Sequence, residues 1–333
     1  MLLLLTLVGG MLISVSSNSW LGAWIGLEIN LLSFIPLMSS KSNMYTTEAS
    51  LKYFIVQALA SSTLLFSVLI IYMAKETLFQ TPHLMGMLVN IPLLLKGGAA
   101  PFHWWFPSVM EGLSWGNCLL LLTMQKIAPL MLISYSLSMS WFTTMIILLS
   151  VWIGAVGGMN QTSVRKILTY SSINHMGWMI SSMLISESMW MTYFSIYSFL
   201  TFTIILMVKP FKVSFITQTI TMNKDNPTIK FMMFMILLSL GGLPPFIGFL
   251  PKWMVIQFMI MKNMEIIATV MVLTSLITLY YYLRLCYSSF MIGAYDVKWN
   301  NQFNKPKILY SSMFLTSLST MGLLLCTMTI NLY

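Results

Sequence analysis

Six side chains in this sequence have the type and the setting for proton chemistry: Glu28, Lys96, Lys126, Lys252, His103 and His175. Each lies in a long apolar stretch, where an ionisable group is costly. A lysine at the centre of a membrane helix costs about 2.5–3.5 kcal/mol on insertion scales, so it needs a partner, a hydrated cavity or neutrality. Glu28, in WIGLEIN, is the acidic residue that falls well inside such a stretch, and is the economical partner for one of the lysines. A low dielectric disfavours the lysine's charge and a nearby carboxylate favours it, so changing their separation loads or unloads a proton. The static alternative is that the lysines snorkel or sit in fixed ion pairs. His103 and His175 either bridge a water chain between lysines or serve as hydrogen-bonded packing groups. His83, after Pro82, reads as interfacial.

These residues cluster around two interruptions. Ser239 to Trp253 reads SLGGLPPFIGFLPKW, and Lys96 to Pro107 reads KGGAAPFHWWFP. At a constant offset of 144 residues, Gly97, Gly98, Pro101, Phe102 and Pro107 recur as Gly241, Gly242, Pro245, Phe246 and Pro251. Adjacent glycines and prolines remove donors and add backbone freedom, so neither stretch continues as one helix. A bilayer tolerates such a break only where protein or a water-filled cavity satisfies the freed carbonyls.

The composition supplies the bilayer. Of 333 residues, 58% are hydrophobic and 8% charged, with a mean hydropathy of +0.83. A soluble domain carries about 25% charged residues, so the expected fold is an all-α polytopic membrane protein in a single domain, 1–333. Cys118, Cys286 and Cys326 show no CxxC spacing, which excludes a cysteine-held iron–sulfur cluster or structural zinc and implies no disulfide framework. No nucleotide fingerprint, phosphate loop or HExxH motif occurs. The 32 methionines are scattered as apolar filler rather than grouped as ligands.

Taking about 20 residues per crossing, eleven spans are expected: 1–17, 20–39, 49–73, 83–110, 113–136, 139–159, 164–185, 188–210, 229–262, 265–290 and 308–331. The fourth and ninth are broken, at Gly97 to Pro101 and at Gly241 to Pro245. Loops after even-numbered spans hold 12 of the cations, namely Lys41, Lys52, Arg165, Lys166, Lys209, Lys212, Lys224, Lys230, Arg284, Lys298, Lys305 and Lys307; loops after odd-numbered spans hold 2, Lys75 and Lys262. That asymmetry puts the N-terminus inside and the C-terminus outside, and makes the net charge of +9 a topology signal rather than a nucleic-acid footprint. The broken spans lie an odd number of spans apart. They are therefore candidate inverted-topology repeats, with halves at roughly 20–136 and 139–290, a final span at 308–331, and a translocation site near the midplane. The first span, MLLLLTLVGGMLISV, lacks a basic n-region and reads as retained rather than cleaved.

Glu48 and Lys52 form an i,i+4 pair, and Arg165 and Lys166 read as topology anchors. Glu111 and Glu187 sit at span ends, and Lys224 with Asp225 lies in the longest inside loop, a candidate partner contact.

The segments SNSWLGAWIGLEIN, TEASLKYF, KGGAAPFHWWFP, MQKIAPL, GGMNQTSVRKI, YSSINHMGWM, LSLGGLPPFIGFLPKWMVIQ and YYLRLCYS resemble, in order, the antiporter-like subunit 2 family of animal mitochondrial NADH:ubiquinone oxidoreductase, respiratory complex I. The resemblance runs from about Trp20 to Tyr287; the ends match only in hydropathy. It implies a proton-translocating membrane-arm subunit that holds no redox cofactor itself, with NADH, FMN, iron–sulfur clusters and ubiquinone in other subunits. It implies a glutamate–lysine pair at Glu28 and Lys96, a central lysine at Lys126 and an outer-exit lysine at Lys252, each carried by WIGLE, LLLKGG, MQKIAP and FLPKW respectively. Location follows as the mitochondrial inner membrane, with the N-terminus in the matrix and the C-terminus in the intermembrane space. Partners follow as other membrane-arm and accessory subunits and phospholipids, cardiolipin among them, with no nucleic acid. Eleven spans rather than fourteen is the animal pattern, and a mitochondrial genetic code accounts for the methionine excess. The competing readings are a free-standing cation/proton antiporter and a scaffold whose charges only hold helices together.

Overall fold

The computed structural model describes residues 1–40, 43–74, 82–211, 213–221, 227–291 and 306–322. Lys41, Lys75, Lys212, Lys224, Asp225, Lys298, Lys305 and Cys326, the last residues of the expected final span, and the side chains of His83, Lys230 and Lys307 lie outside this set. Among the described residues the fold is helical without a strand; one isolated bridge joins Ser163 to Phe215. Among the described residues, six helices are long and apolar enough to cross a bilayer: Trp20–Met38, Met44–Met73, Trp115–Ser136, Trp141–Met159, Glu187–Phe211 and Glu265–Tyr287.

The chain divides into two compact units, Met1–Ser150 and Val151–Tyr333. In the first, α1 (Leu2–Ser16) and α2 (Trp20–Met38) pack through glycines. A Cβ at Gly26 would lie 2.5 Å from the Ser14 nitrogen, and one at Gly10 would lie 2.8 Å from the Asn30 nitrogen. Such close backbone approach is what small residues permit where lipid supplies no hydrophobic drive. Then follow α3 (Met44–Ala74), α4 (Pro82–Gly97), α5 (Trp105–Gly112), α6 (Trp115–Leu122) and α7 (Met124–Ser136). Helix α8 (Trp141–Met159) leads into the second unit.

That unit comprises α9 (Val164–Met183), α10 (Glu187–Val208), a 3-10 turn at Lys209–Phe211, α11 (Ile216–Thr221), α12 (Pro227–Gly241), α13 (Phe249–Met261), α14 (Glu265–Met291) and α15 (Pro306–Thr320). Helix α9 is polar yet buried nearly all round. Its Ser171, Ser172, Ser181 and Ser182 hydroxyls donate to the carbonyls three residues back, at 2.7–2.8 Å, so each hydroxyl hydrogen has an acceptor within the helix.

The breaks at α4–α5 and α12–α13 share one geometry. Helix α4 ends with Gly98 at φ +73, Gly98 N–H donating to Leu95 O at 3.2 Å and Ala99 N–H to Leu94 O at 3.0 Å. Helix α12 ends with Gly242 at φ +82, Gly242 N–H donating to Ser239 O at 3.0 Å and Leu243 N–H to Leu238 O at 3.4 Å. Both are Schellman caps, in which a left-handed glycine lets two N–H groups turn back onto the last carbonyls. The offset of 144 therefore holds for both capping hydrogen bonds.

A further interruption falls where the sequence reads as continuous. The expected span 113–136 divides at Thr123, whose φ of −115 and ψ of −74 part α6 from α7. Pro129 denies the Gln125 carbonyl a donor and crowds it, and the Thr123 hydroxyl donates to Leu119 O at 2.8 Å. The interruption lies three residues before Lys126.

Candidate functional site

Each unit holds its ionisable groups at helix discontinuities. In the first unit Lys96 occupies the last turn of α4, 7% exposed, next to the left-handed Gly98. Glu28, on α2, is near enough to act on it electrostatically. The two make no direct ion pair, and Lys96 Nζ and Glu28 Oε2 are both buried without a hydrogen-bond partner. The pairing of Glu28 with a lysine is readable from the residues; the gap between Glu28 and Lys96 is not.

What surrounds Lys96 is a set of uncharged polar groups. A small cavity of about 10 Å³ is lined by Leu27, Asn30, Leu31, Tyr53, Gln57, Lys96, Gln125 and Pro129. Gln57 Nε2 donates to the Lys96 carbonyl at 3.4 Å, Gln125 Nε2 to Asn30 Oδ1 at 2.9 Å, and Tyr53 Oη to Gln125 Oε1 at 3.3 Å. Asn30, Tyr53 and Gln57 are absent from the sequence-based candidates. Tyr53 and Gln57 share one face of α3 by their i,i+4 spacing, and Gln125 immediately precedes Lys126 in MQKIAP. Lys126 itself is 2% exposed on the first turn of α7, with its Nζ 5.2 Å from the centroid of the Phe106 ring. The ring's negative face attracts the ammonium. His103 stacks on Trp104 and faces the Pro101 carbonyl, and no hydrogen bond joins it to Lys96 or Lys126.

In the second unit Lys252, 5% exposed on the first turn of α13, turns back across the break. Its Nζ donates to Gly241 O at 2.9 Å and to Leu240 O at 3.4 Å, the open carbonyls of α12, while lying 5.8 Å from the centroid of a Trp178 ring. A helix C-terminus carries partial negative charge, so this ammonium caps a dipole end as well as two carbonyls. In the first unit the carbonyl that matches Leu240 O, that of Lys96, accepts from Gln57 Nε2 at 3.4 Å, and Leu95 O, one residue earlier, accepts from the Trp105 indole N–H at 3.1 Å. The two breaks thus share a backbone cap but place their lysines on opposite sides, Lys96 before the glycines and Lys252 after them. His175 lies one turn before Trp178 on α9, its Nδ1 2.9 Å from Tyr193 Oη and its ring against Tyr197. Tyr193 and Tyr197 are i,i+4 on α10, a spacing readable in advance.

Glu48 and Lys52 pair at 2.6 Å on the exposed face of α3, away from these groups. Among the described residues, no group of three or more His, Cys, Asp or Glu side chains converges to hold a metal ion.

The chain matches the family model described as NADH:quinone oxidoreductase/Mrp antiporter, TM, over residues 17–278, and that of the NADH dehydrogenase subunit 2 C-terminus over 279–330. It is 52% identical over 329 residues to the NADH-ubiquinone oxidoreductase chain 2 of Anopheles gambiae, covering 98% of this chain and 96% of that one. It is 46% identical over 327 residues to the chain of that name from Locusta migratoria, covering 98% and 95%. A chain of the respiratory complex I from Thermus thermophilus, solved with bound aureothin, superposes with a TM-score of 0.86 at 24% identity, covering 97% of this chain and 77% of that one. A chain of the Mrp complex from Dietzia sp. DQ12-45-1b superposes with a TM-score of 0.78 at 16% identity, covering 96% and 74%. At these identities the two superpositions show a shared fold.

Proposed function

Because the chain belongs to the NADH-ubiquinone oxidoreductase chain 2 family, we infer that it works as a proton-translocating membrane-arm subunit of complex I and that its proton path runs through Glu28, Lys96, Lys126 and Lys252. The redox reaction belongs to the assembled H+-translocating NADH:ubiquinone reductase. NADH, FMN, iron–sulfur clusters and ubiquinone are assigned to other subunits. The chain forms one antiporter-like domain of eleven crossings in the mitochondrial inner membrane, N-terminus in the matrix and C-terminus in the intermembrane space. Its halves, roughly 20–136 and 139–290, are inverted repeats, followed by a final span at 308–331. The identical caps at an offset of 144 support the repeat reading. Other membrane-arm and accessory subunits cover parts of its surface, and phospholipids, cardiolipin included, cover the rest.

The observation that carries the relay is the placement of all three lysines, each at most 7% exposed, at helix discontinuities. A buried cation elsewhere along a continuous helix finds every nearby carbonyl already used. At its discontinuity Lys252 meets open carbonyls and Lys96 meets a cavity, surroundings that stabilise a charge without fixing it in a permanent ion pair. Quinone reduction in another subunit changes the Glu28–Lys96 separation. The changed field alters proton affinity at Lys126 and then at Lys252, and release is outward. His103 and His175 extend the path as water-chain contacts. His175, bonded to Tyr193, has the clearer geometry of the two.

The test is charge removal in the assembled complex. Glu28→Gln, Lys96→Met and Lys252→Met are expected to lower NADH-driven proton uptake severalfold. An assembled Lys252→Met complex pumping at full rate would remove Lys252 from the path.

A further inference from the structure

Two amides stand where the proposed path changes hands. Asn30 lies on α2, the helix of Glu28, and Gln125 lies on α7, next to Lys126 and two residues past the Thr123 interruption. Their side chains meet at 2.9 Å, and both line the cavity into which Lys96 is set. Gln125 also accepts from Tyr53 of α3 at 3.3 Å. We propose that Asn30 and Gln125 are positioning residues, whose hydrogen bond transmits a rearrangement at Glu28 and Lys96 to Lys126 by holding the start of α7 against α2 and α3.

The chemistry favours positioning over proton transfer. A carboxamide carries one donor group and one acceptor and does not ionise near neutrality, so it conducts no net charge. What it supplies is direction. Burying two amides is costly unless each meets the other's complementary group, so a well-formed pair strongly prefers one separation of its helices. The interruption at Thr123 is where α7 has the least backbone restraint, since its first turn lacks the regular bonds of a continuous helix. The Asn30–Gln125 bond and the Tyr53 hydroxyl provide restraint there from two neighbouring helices. Motion of α2 that accompanies a new Glu28–Lys96 separation is therefore delivered to the residue beside Lys126.

This inference rests on the relay reading above, and the experiment separates the two. In membranes holding the whole complex, Gln125→Met, Asn30→Leu and the exchange Asn30→Gln with Gln125→Asn are compared for assembly, NADH oxidation and protons moved per NADH, with Lys126→Met alongside. Gln125→Met keeps the side-chain length and removes the amide, so it serves as the variant of record if Asn30→Leu fails to assemble. The expected result is at least a twofold loss of protons moved per NADH in Gln125→Met, with more than half of the loss recovered in the exchange. A normal ratio in assembled Gln125→Met overturns the inference, as does an exchange no better than the single variant, since the hydrogen bond rather than local volume is what the proposal needs. Lys126→Met decides the other question: if it alone lowers the ratio or stalls both activities, the relay stands without the amide bridge, and if it leaves both pumping and NADH oxidation intact, the relay itself fails.

Discussion

Substituting Gly242 by alanine separates the broken-helix account from a simple packing account. Gly242 has φ +82, a region that costs an L-residue about 1–2 kcal/mol. A Cβ there would lie 2.9 Å from Lys252 Cδ and 3.0 Å from its Nζ. The lysine must therefore shift away from Gly241 O, which it now contacts at 2.9 Å. A hydrogen bond from a charged donor contributes about 1.5–3 kcal/mol, so the combined cost is roughly 2.5–5 kcal/mol. Gly241→Ala is the matched control. Its added Cβ would meet Leu279 and Tyr282 at 3.6 Å, an ordinary contact, and alanine is the better helix former. The assay is thermal inactivation of NADH:ubiquinone activity in membranes, with protons moved per NADH measured on the same preparation. Gly242→Ala is expected to inactivate at a lower temperature and to pump poorly, and Gly241→Ala to behave as the unmodified complex. If the two variants are indistinguishable, Lys252 does not depend on the cap that Gly242 forms.

Gly248→Ala is predicted to abolish assembly, because its Cβ would lie 1.8 Å from the Ser239 carbonyl oxygen and only a backbone shift can relieve that; a native gel reads the outcome. Trp105→Phe removes the indole donor to Leu95 O at 3.1 Å and is expected to destabilise the α4 end by about 0.5–1.5 kcal/mol, seen as a modest fall in thermal inactivation temperature with pumping retained. Glu48→Gln breaks an ion pair whose side chains are 61% and 49% exposed, so stability should change by less than about 1 kcal/mol and pumping not at all.

Much of this was legible in the residues. The glycine–proline breaks follow from backbone chemistry alone, and their recurrence at one offset anticipates two similar breaks, though not their shared cap. The positions of Lys96, Lys126 and Lys252 inside apolar stretches were equally plain, because so few charges interrupt them. Three features were less accessible. The break at Thr123 depends on Pro129 acting through a carbonyl four residues back and on a hydroxyl competing for another, and neither leaves a glycine in the sequence. The gap between Glu28 and Lys96 depends on how α2 and α4 are spaced, which periodicity does not encode. The amide cluster of Asn30, Gln57 and Gln125 comes from three helices, and each member alone looks like a polar residue of no special standing. The six long apolar helices form part of the expected eleven crossings. Helix α1 has 15 residues, about 22 Å, and α9 is long but polar, its buried serine hydroxyls donating to carbonyls of their own helix.

The most direct test of the central claim is the number of protons moved per NADH oxidised in sealed membranes carrying Lys126→Met, with assembly of the complex measured in the same preparation. A buried relay lysine predicts an assembled complex in which pumping falls, or in which pumping and NADH oxidation stall together. An assembled complex with both activities unchanged would contradict it and leave Lys126 a structural cation over the Phe106 ring.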